Sequence, residues 1–89
     1  MSGRLENKVA VITGGASGIG EGTVRRFVAE GAKCVIADIQ YERAEELAKE
    51  LGENAVAFSV DVADESQVKA TVEFAVSEFG QLDIMFNNA

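Results

Sequence analysis

Four glycines lie close together near the start of the chain, in the run Thr13-Gly14-Gly15-Ala16-Ser17-Gly18-Ile19-Gly20. Ahead of them stands a short apolar run, Val9-Ala10-Val11-Ile12. Its β-branched residues suit a strand buried on both faces. Behind the glycines Ile19, Thr23, Val24, Phe27 and Val28 fall on one face of a helix. The order strand, glycine turn, helix aims the first unbonded N–H groups of a helix, and the positive end of its dipole, at whatever sits above the strand's end. That is a chemistry for anions. Glycine lets a phosphate come close to the backbone and permits positive φ at little cost. With strand and helix flanking it as this mechanism demands, the run reads as a pyrophosphate cradle rather than a tight turn that merely contains glycine.

The aspartates extend the argument. Asp38 closes the second apolar run, 18 residues beyond Gly20. A carboxylate there can accept hydrogen bonds from the diol of an adenosine ribose. It can also initiate the following helix, and the two roles are compatible. The same charge repels a 2′-phosphate, by a few kcal/mol at ~4 Å and intermediate dielectric. Gly15, Ala16 and Ser17 bring no cation to neutralise an extra phosphate, and Arg25 and Arg26, a turn or two downstream, read as solvated. NAD is therefore expected over NADP. Asp61, with the backbone of Val62, can meet the amino edge of an adenine, and reads equally well as a capping aspartate. Asp83 carries no ligand role. The acidic residues of the later helices, such as Glu45, Glu46, Glu73 and Glu78, read as solvated faces. The chain has no histidine and a single cysteine, Cys34, inside an apolar run. No zinc site and no histidine-based triad can be assembled, no metal is expected, and Cys34 reads as a small core residue.

These residues need elements to hold them. A first strand is expected over roughly 7–13, then a helix to about residue 30 with Gly31 as its left-handed stop. A second buried strand covers 33–38. A second helix follows, with Tyr41, Ala44, Leu47, Ala48 and Leu51 on its apolar stripe and Gly52 at its end. Strand three covers 55–59. Asp64 caps a third helix and Gln67 completes a capping box, with Val68, Val72, Ala75, Val76 and Phe79 buried and Gly80 closing it. Strand four covers 82–86. The pattern is βαβαβαβ without proline or linker, an α/β Rossmann-like doubly wound parallel sheet in the order 3-2-1-4. Ligands bind beyond the strands' carboxyl ends where the winding reverses, between strands one and four. The glycine turn and Asn87-Asn88-Ala89 both flank that crevice.

Taken together these motifs resemble the short-chain dehydrogenase/reductase family. Thr13 to Gly20 matches its TGxxxGxG cofactor motif, Asp61-Val62 its adenine-contact pair, and Asn87-Asn88-Ala89 its NNAG motif cut one residue short. Asp38 resembles the NAD-linked members, and the likeness runs from Leu5 to Ala89. By that resemblance Ser17, Gly18 and Ile19, between Gly14 and Gly20, line the pyrophosphate path. Asp38 and Ile39 hold the adenosine ribose, Asp61 and Val62 flank the adenine, and the backbone of Asn87, Asn88 and Ala89 borders the ribose on the far side. The resemblance implies an oxidoreductase that moves hydride between NAD and a hydroxyl/carbonyl substrate. Members run to about 250 residues, and their catalytic asparagine, serine and Tyr-x-x-x-Lys pair follow NNAG. The only tyrosine here, Tyr41, has Glu45 four residues on. No catalytic residue is expected among these 89, which read as the N-terminal dinucleotide-binding part, inactive alone. A stand-alone nucleotide-binding or edge-pairing module without turnover is the alternative.

Bulk properties set the remaining expectations. Net charge is −7 and hydrophobic residues make up 47 %, which disfavours a grip on nucleic acid or an anionic membrane and excludes a disordered polar chain. No apolar run approaches the ~20 residues of a membrane span. The polar start shows no signal peptide, and one unpaired cysteine suits a reducing cytoplasm. Leu82, Ile84, Met85 and Phe86 would form an exposed edge, so self-association through strand four is expected of the isolated piece, and a homo-oligomer of the parent.

Overall fold

The apolar run at Val9 makes the centre of the sheet. In the computed structural model, which describes residues 4–88, β1 (Val9–Thr13) is buried along its whole length and pairs in parallel with β2 (Lys33–Asp38) on one side and β4 (Ile84–Asn87) on the other. β3 (Ala55–Ser59) adds to β2, giving the order β3-β2-β1-β4. Three helices connect the strands: α1 (Gly18–Ala29), α2 (Tyr41–Leu51), followed by a 3₁₀ turn at Gly52–Asn54, and α3 (Glu65–Phe79). The doubly wound order expected from the sequence is the one observed. Strand one starts at Val9 instead of residue 7, and strand four at Ile84 instead of 82.

Side-chain alternation divides the interior in two. Ala10 and Ile12 of β1, with Cys34 and Ile36 of β2, pack beneath α1 and α2 against Val24, Ala44 and Leu47. Val11, Val35 and Ala37 point to the opposite face and meet Val60 and Ala75, with Phe58, Phe74 and Phe79 partly buried around them. Burying a Val or Ile side chain is worth about 1.5–3 kcal/mol, so these central strands carry the fold. Phe58 stacks on Phe74 with ring centroids 4.6 Å apart.

The helical stripes differ from expectation at three points. Ile19 is 76 % exposed, so α1 buries Gly20 and Val24, with Phe27 and Val28 partly covered. The first turn of α1 overhangs the strand's end, where there is no sheet beneath it. Tyr41 lies at the start of α2 and is exposed. In α3 it is Thr71, not Val76, that is fully buried. Its hydroxyl donates back to the Gln67 carbonyl at 2.8 Å, which makes burial cheap. The capping box also forms only in part. Asp64 accepts from the Ser66 N–H at 2.9 Å, but the Gln67 amide oxygen takes the N–H of Asp61.

Two devices fix the ends of β1. At its start, Asp83 Oδ2 accepts from the Val9 N–H at 2.9 Å and from Gln81 Nε2 at 2.6 Å, while the Asp83 N–H donates to the Val9 carbonyl. At its end, α1 comes down so close that a Cβ on Gly20 would overlap the Gly14 carbonyl oxygen. Among the described residues no helix is long and apolar enough to cross a membrane, and no group of His, Cys, Asp and Glu side chains is placed to hold a metal.

Both devices are open to test. A glycine-to-alanine change inside a helix ordinarily gains up to about 1 kcal/mol. Gly20→Ala should instead cost about 1–3 kcal/mol by overpacking, while Gly22→Ala, whose Cβ meets nothing within 4 Å, should be neutral or stabilising. Denaturant unfolding of both variants checks this. The bonds from Val9 and Gln81 hold the Asp83 carboxyl below its usual range. A depressed folded value gives stability that is present above the unfolded pKa, about 3.9, and lost as pH falls through the folded one. Asp83→Ala should therefore lower the melting temperature at neutral pH, and the gap to the parent should close on acidification. A gap that stays constant into strong acid would exclude a charge-dependent clasp.

Candidate functional site

The turn after β1 is shaped by three close approaches. The Gly14 N–H donates to the Ala37 carbonyl at 2.8 Å, continuing the β1–β2 ladder by one bond past the strand. Gly14 has φ +65°, and a Cβ there would run into the backbone oxygen of Asn88. Gly15 is wedged between the Ile12 carbonyl and Ile36, with 3.0 Å to each from a notional Cβ. Gly18 is different in kind. Its φ is +55°, yet a Cβ on it would meet nothing within 4 Å. Gly14 and Gly20 are thus glycines because protein fills the space, while Gly18 leaves the space above the helix start clear. Ser17 caps α1 in an extended conformation without a side-chain capping bond, so the first N–H groups of α1 take no bond from its hydroxyl.

Thr13, buried at 2 % exposure, closes the far side. Its hydroxyl donates to Asn87 Oδ1 at 2.9 Å and accepts from the Asn88 N–H at 3.0 Å. Asn88 Nδ2 reaches the Gly14 carbonyl at 3.4 Å. The chain leaving β4 is thereby pinned to the glycine turn.

Across β2, Asp38 is almost wholly buried, and its two oxygens are both engaged. Oδ2 accepts from the Ala16 N–H at 3.0 Å and Oδ1 from the Gln40 N–H at 2.8 Å. The second bond is an Asx turn leading into α2, so Asp38 does help to start that helix. Asp61 makes a similar turn, its Oδ1 accepting from Ala63 N–H at 3.0 Å. Asp38 and Asp61 border one cleft of about 130 Å³ together with Gly14, Ala37, Ile39, Val60, Val62 and Asn88. It lies at the carboxyl ends of the strands, reaching from the residues after β3 and β2 to those after β1 and β4.

The structure therefore assembles Gly14, Asp38, Ile39, Asp61, Val62 and Asn88 around a single cleft. Ser17, Gly18 and Ile19 stand at the α1 terminus outside its lining, and Gly20, in the first turn of α1, is packed against the Gly14 carbonyl. Asn87 turns its side chain to Thr13, and Ala89 lies outside the described residues. Sequence reasoning missed Ala16, Gln67 and Thr13 as supports. Thr13 had a signal, since it is the first polar residue after a buried run. The Ala16 and Gln67 contacts span gaps that no local pattern marks.

Other polar groups have different employment. Arg25 is not free in solvent. It donates to Glu21 at 3.0 Å and forks onto Glu50, which raises its pKa and lowers that of Glu50. It lines a groove of about 260 Å³ between α1 and α2, together with Glu21, Arg43, Glu46 and Glu50, and its own charge is met there by Glu21 and Glu50. Arg26 is likewise paired, with Glu30 at 3.0 Å. The Tyr41 hydroxyl donates to Glu45 at 3.3 Å, and that carboxylate raises its pKa. A lysine at the same place would lower it, so Tyr41 is not set up to give or take a proton. Burial pushes the Cys34 thiol up to about 12.

Comparison with known proteins agrees with this geometry. The pattern of the short chain dehydrogenase family matches residues 8–89. The chain is 59 % identical over 90 residues to short chain aldehyde dehydrogenase 1 of Euphorbia lathyris, covering 99 % of this chain and 31 % of that protein. It is 54 % identical over 89 residues to (+)-borneol dehydrogenase 1 of Salvia officinalis, covering 100 % and 34 %. Among solved structures, the 3-ketoacyl-(acyl-carrier-protein) reductase from Brucella melitensis complexed with NADH superposes with a TM-score of 0.88 at 49 % identity, over 91 % of this chain and 34 % of that one. The chain thus spans about a third of the length of these relatives. A parallel sheet in the order 3-2-1-4, a glycine turn under a helix terminus and a family match over nearly every residue lead to one conclusion: the chain belongs to the short-chain dehydrogenase family.

Proposed function

We propose that these residues form the adenosine–pyrophosphate half of an NAD site in an oxidoreductase that moves hydride between NAD and a hydroxyl/carbonyl substrate. One observation carries the reading: the cleft at the carboxyl ends of the four strands gathers Gly14, Asp38, Asp61 and Asn88, and the space over Gly18 at the start of α1 is clear. That space and the N-terminus of α1 suit the pyrophosphate, with Ser17, Gly18 and Ile19 along its path and Gly14 and Gly20 letting helix and turn approach closely. Asp38 and Ile39 take the adenosine ribose, Asp61 and Val62 flank the adenine, and Asn87, Asn88 and Ala89 border the far side. When bound, NAD supplies the hydride chemistry, and this chain's residues bind and orient its adenosine end. The NADH held by the Brucella melitensis reductase supports a nicotinamide dinucleotide. The preference for NAD over NADP rests on Asp38, whose fixed charge opposes a 2′-phosphate, and on the pairing of Arg25 with glutamates instead.

On this reading the 89 residues are a dinucleotide-binding part without turnover of its own, in a cytoplasmic enzyme that is a homo-oligomer. The full-length protein carrying this sequence should bind NAD in a calorimetric titration more tightly than NADP. Asp38→Ala should weaken NAD about 10–100-fold, the worth of hydrogen bonds to a charged group, and narrow the discrimination. Gly18→Val, with a folded circular dichroism spectrum retained, should abolish measurable binding, since its side chain would occupy the phosphate's space. Equal affinities for both cofactors, or NAD binding unchanged by Gly18→Val, would refute the assignment. A polypeptide restricted to these 89 residues should self-associate through the outer edge of β4, where Met85 is 42 % exposed. A compact monomer on size-exclusion chromatography would count against that.

A further inference from the structure

The glycine turn is anchored from outside itself. Its first hydrogen bond, from Gly14 N–H, goes to Ala37, and its next, from Ala16 N–H, goes to the Asp38 carboxylate 22 positions along the chain. Both anchors are the last two residues of β2. The Ala16 bond is buried, Ala16 itself is 4 % exposed, and it sits one residue before the α1 cap, Ser17, whose own side chain makes no capping bond. The path of the backbone into α1 is therefore set at Ala16, and by a side chain of the neighbouring strand.

Asp38 is in turn held from the other side by Gln40 N–H. A carboxylate offers four lone-pair directions, and the protein uses one on each oxygen. The other two are left for the cleft that Asp38 lines.

We propose that Asp38 is a positioning residue for the phosphate-binding turn as well as a reader of the ribose: its carboxylate ties Ala16 to Gln40, and this tether sets where the N-terminus of α1 stands. The inference deepens the nucleotide-site reading above and rests on it. It makes a claim the ribose role does not. Binding at the phosphate end depends on Asp38 even when the ligand has no diol for Asp38 to read. It also accounts for how a carboxylate is accommodated in a buried place. Two backbone N–H groups stabilise it there, and they prevent it from swinging aside for a larger group on the ribose.

The test uses the full-length protein with ADP and 2′,3′-dideoxy-ADP as probes, and Asp38→Asn as the variant. Asparagine keeps the shape, but its single oxygen can satisfy only one of the two backbone donors well. If Asp38 positions the turn, D38N loses about fivefold or more in affinity for both probes. Removing a negative charge would by itself strengthen binding of a diphosphate, so a loss with dideoxy-ADP cannot be ascribed to electrostatics. If D38N and the parent bind dideoxy-ADP equally while ADP alone is weakened, Asp38 only reads the ribose and the proposal is overturned, with the site reading intact. If the parent binds neither probe, the site reading fails and this proposal with it. Amide hydrogen exchange of the ligand-free parent gives a reading that needs neither ligand nor variant. Slow exchange at Ala16 supports the tether, and exchange at the rate of an open loop overturns it.

Discussion

Three backbones meet at the carboxyl end of β1, with only the Asn88 amide reaching in among them, and the rest of the molecule is arranged to permit it. The first turn of α1 rests on the Gly14 carbonyl at Gly20, and Gly14 in turn lies against the oxygen of Asn88 where the chain leaves β4. Bringing a helix start, a strand end and a strand exit this near is possible only without Cβ atoms. The approach puts the helix dipole and its unbonded N–H groups over the sheet's end, where an anion is favoured. The buried strands supply the rigidity for this contact. β1 and β2 hold their positions through packing on both faces, and the Thr13 hydroxyl fixes the third backbone by bonding to both Asn87 and Asn88.

In a chain of net charge −7, the aspartates are used structurally before they are used for recognition. Asp38, Asp61 and Asp64 each accept backbone N–H bonds at a turn that follows a strand or opens a helix, and Asp83 accepts one at the start of β1. A short carboxylate reaches nearby N–H groups that neither helix nor ladder can satisfy. Only Asp38 and Asp61 combine this with a place on the cleft. Four of the glutamates, Glu21, Glu30, Glu45 and Glu50, pair instead with arginines and a lysine at helical spacing or between helices.

The order of the strands, the two buried central ones and the glycine turn were legible because each rests on local chemistry. β-branched runs mark β1 and β2, and Gly31 and Gly80 end α1 and α3 with positive φ. The position of Asp38 as the last residue of a buried strand was legible on the same ground. What periodicity could not show is where a helix runs past the sheet. Ile19 fits the apolar stripe of α1, but there is no strand beneath it, and Thr71 is buried because a hydroxyl can bond to its own helix. Bonds between distant residues were out of reach for a different reason. Asp83 with Val9, and Ala16 with Asp38, are near only after the sheet has formed, and nothing in the neighbouring sequence marks their partners.

Cys34 gives the sheet a built-in clock. It is the chain's one cysteine, sits in β2 between β1 and β3, and is wholly covered by α1 and α2. Burial pushes its thiol up to about 12 and so keeps it protonated and unreactive while it is covered. Modification must therefore wait for the helical layer to lift away from the sheet, and no second sulfhydryl among the 89 residues competes for the label. The rate at which a thiol reagent enters would count the openings of the strand whose last residue is Asp38, and a bound ligand at that end of the sheet would slow it.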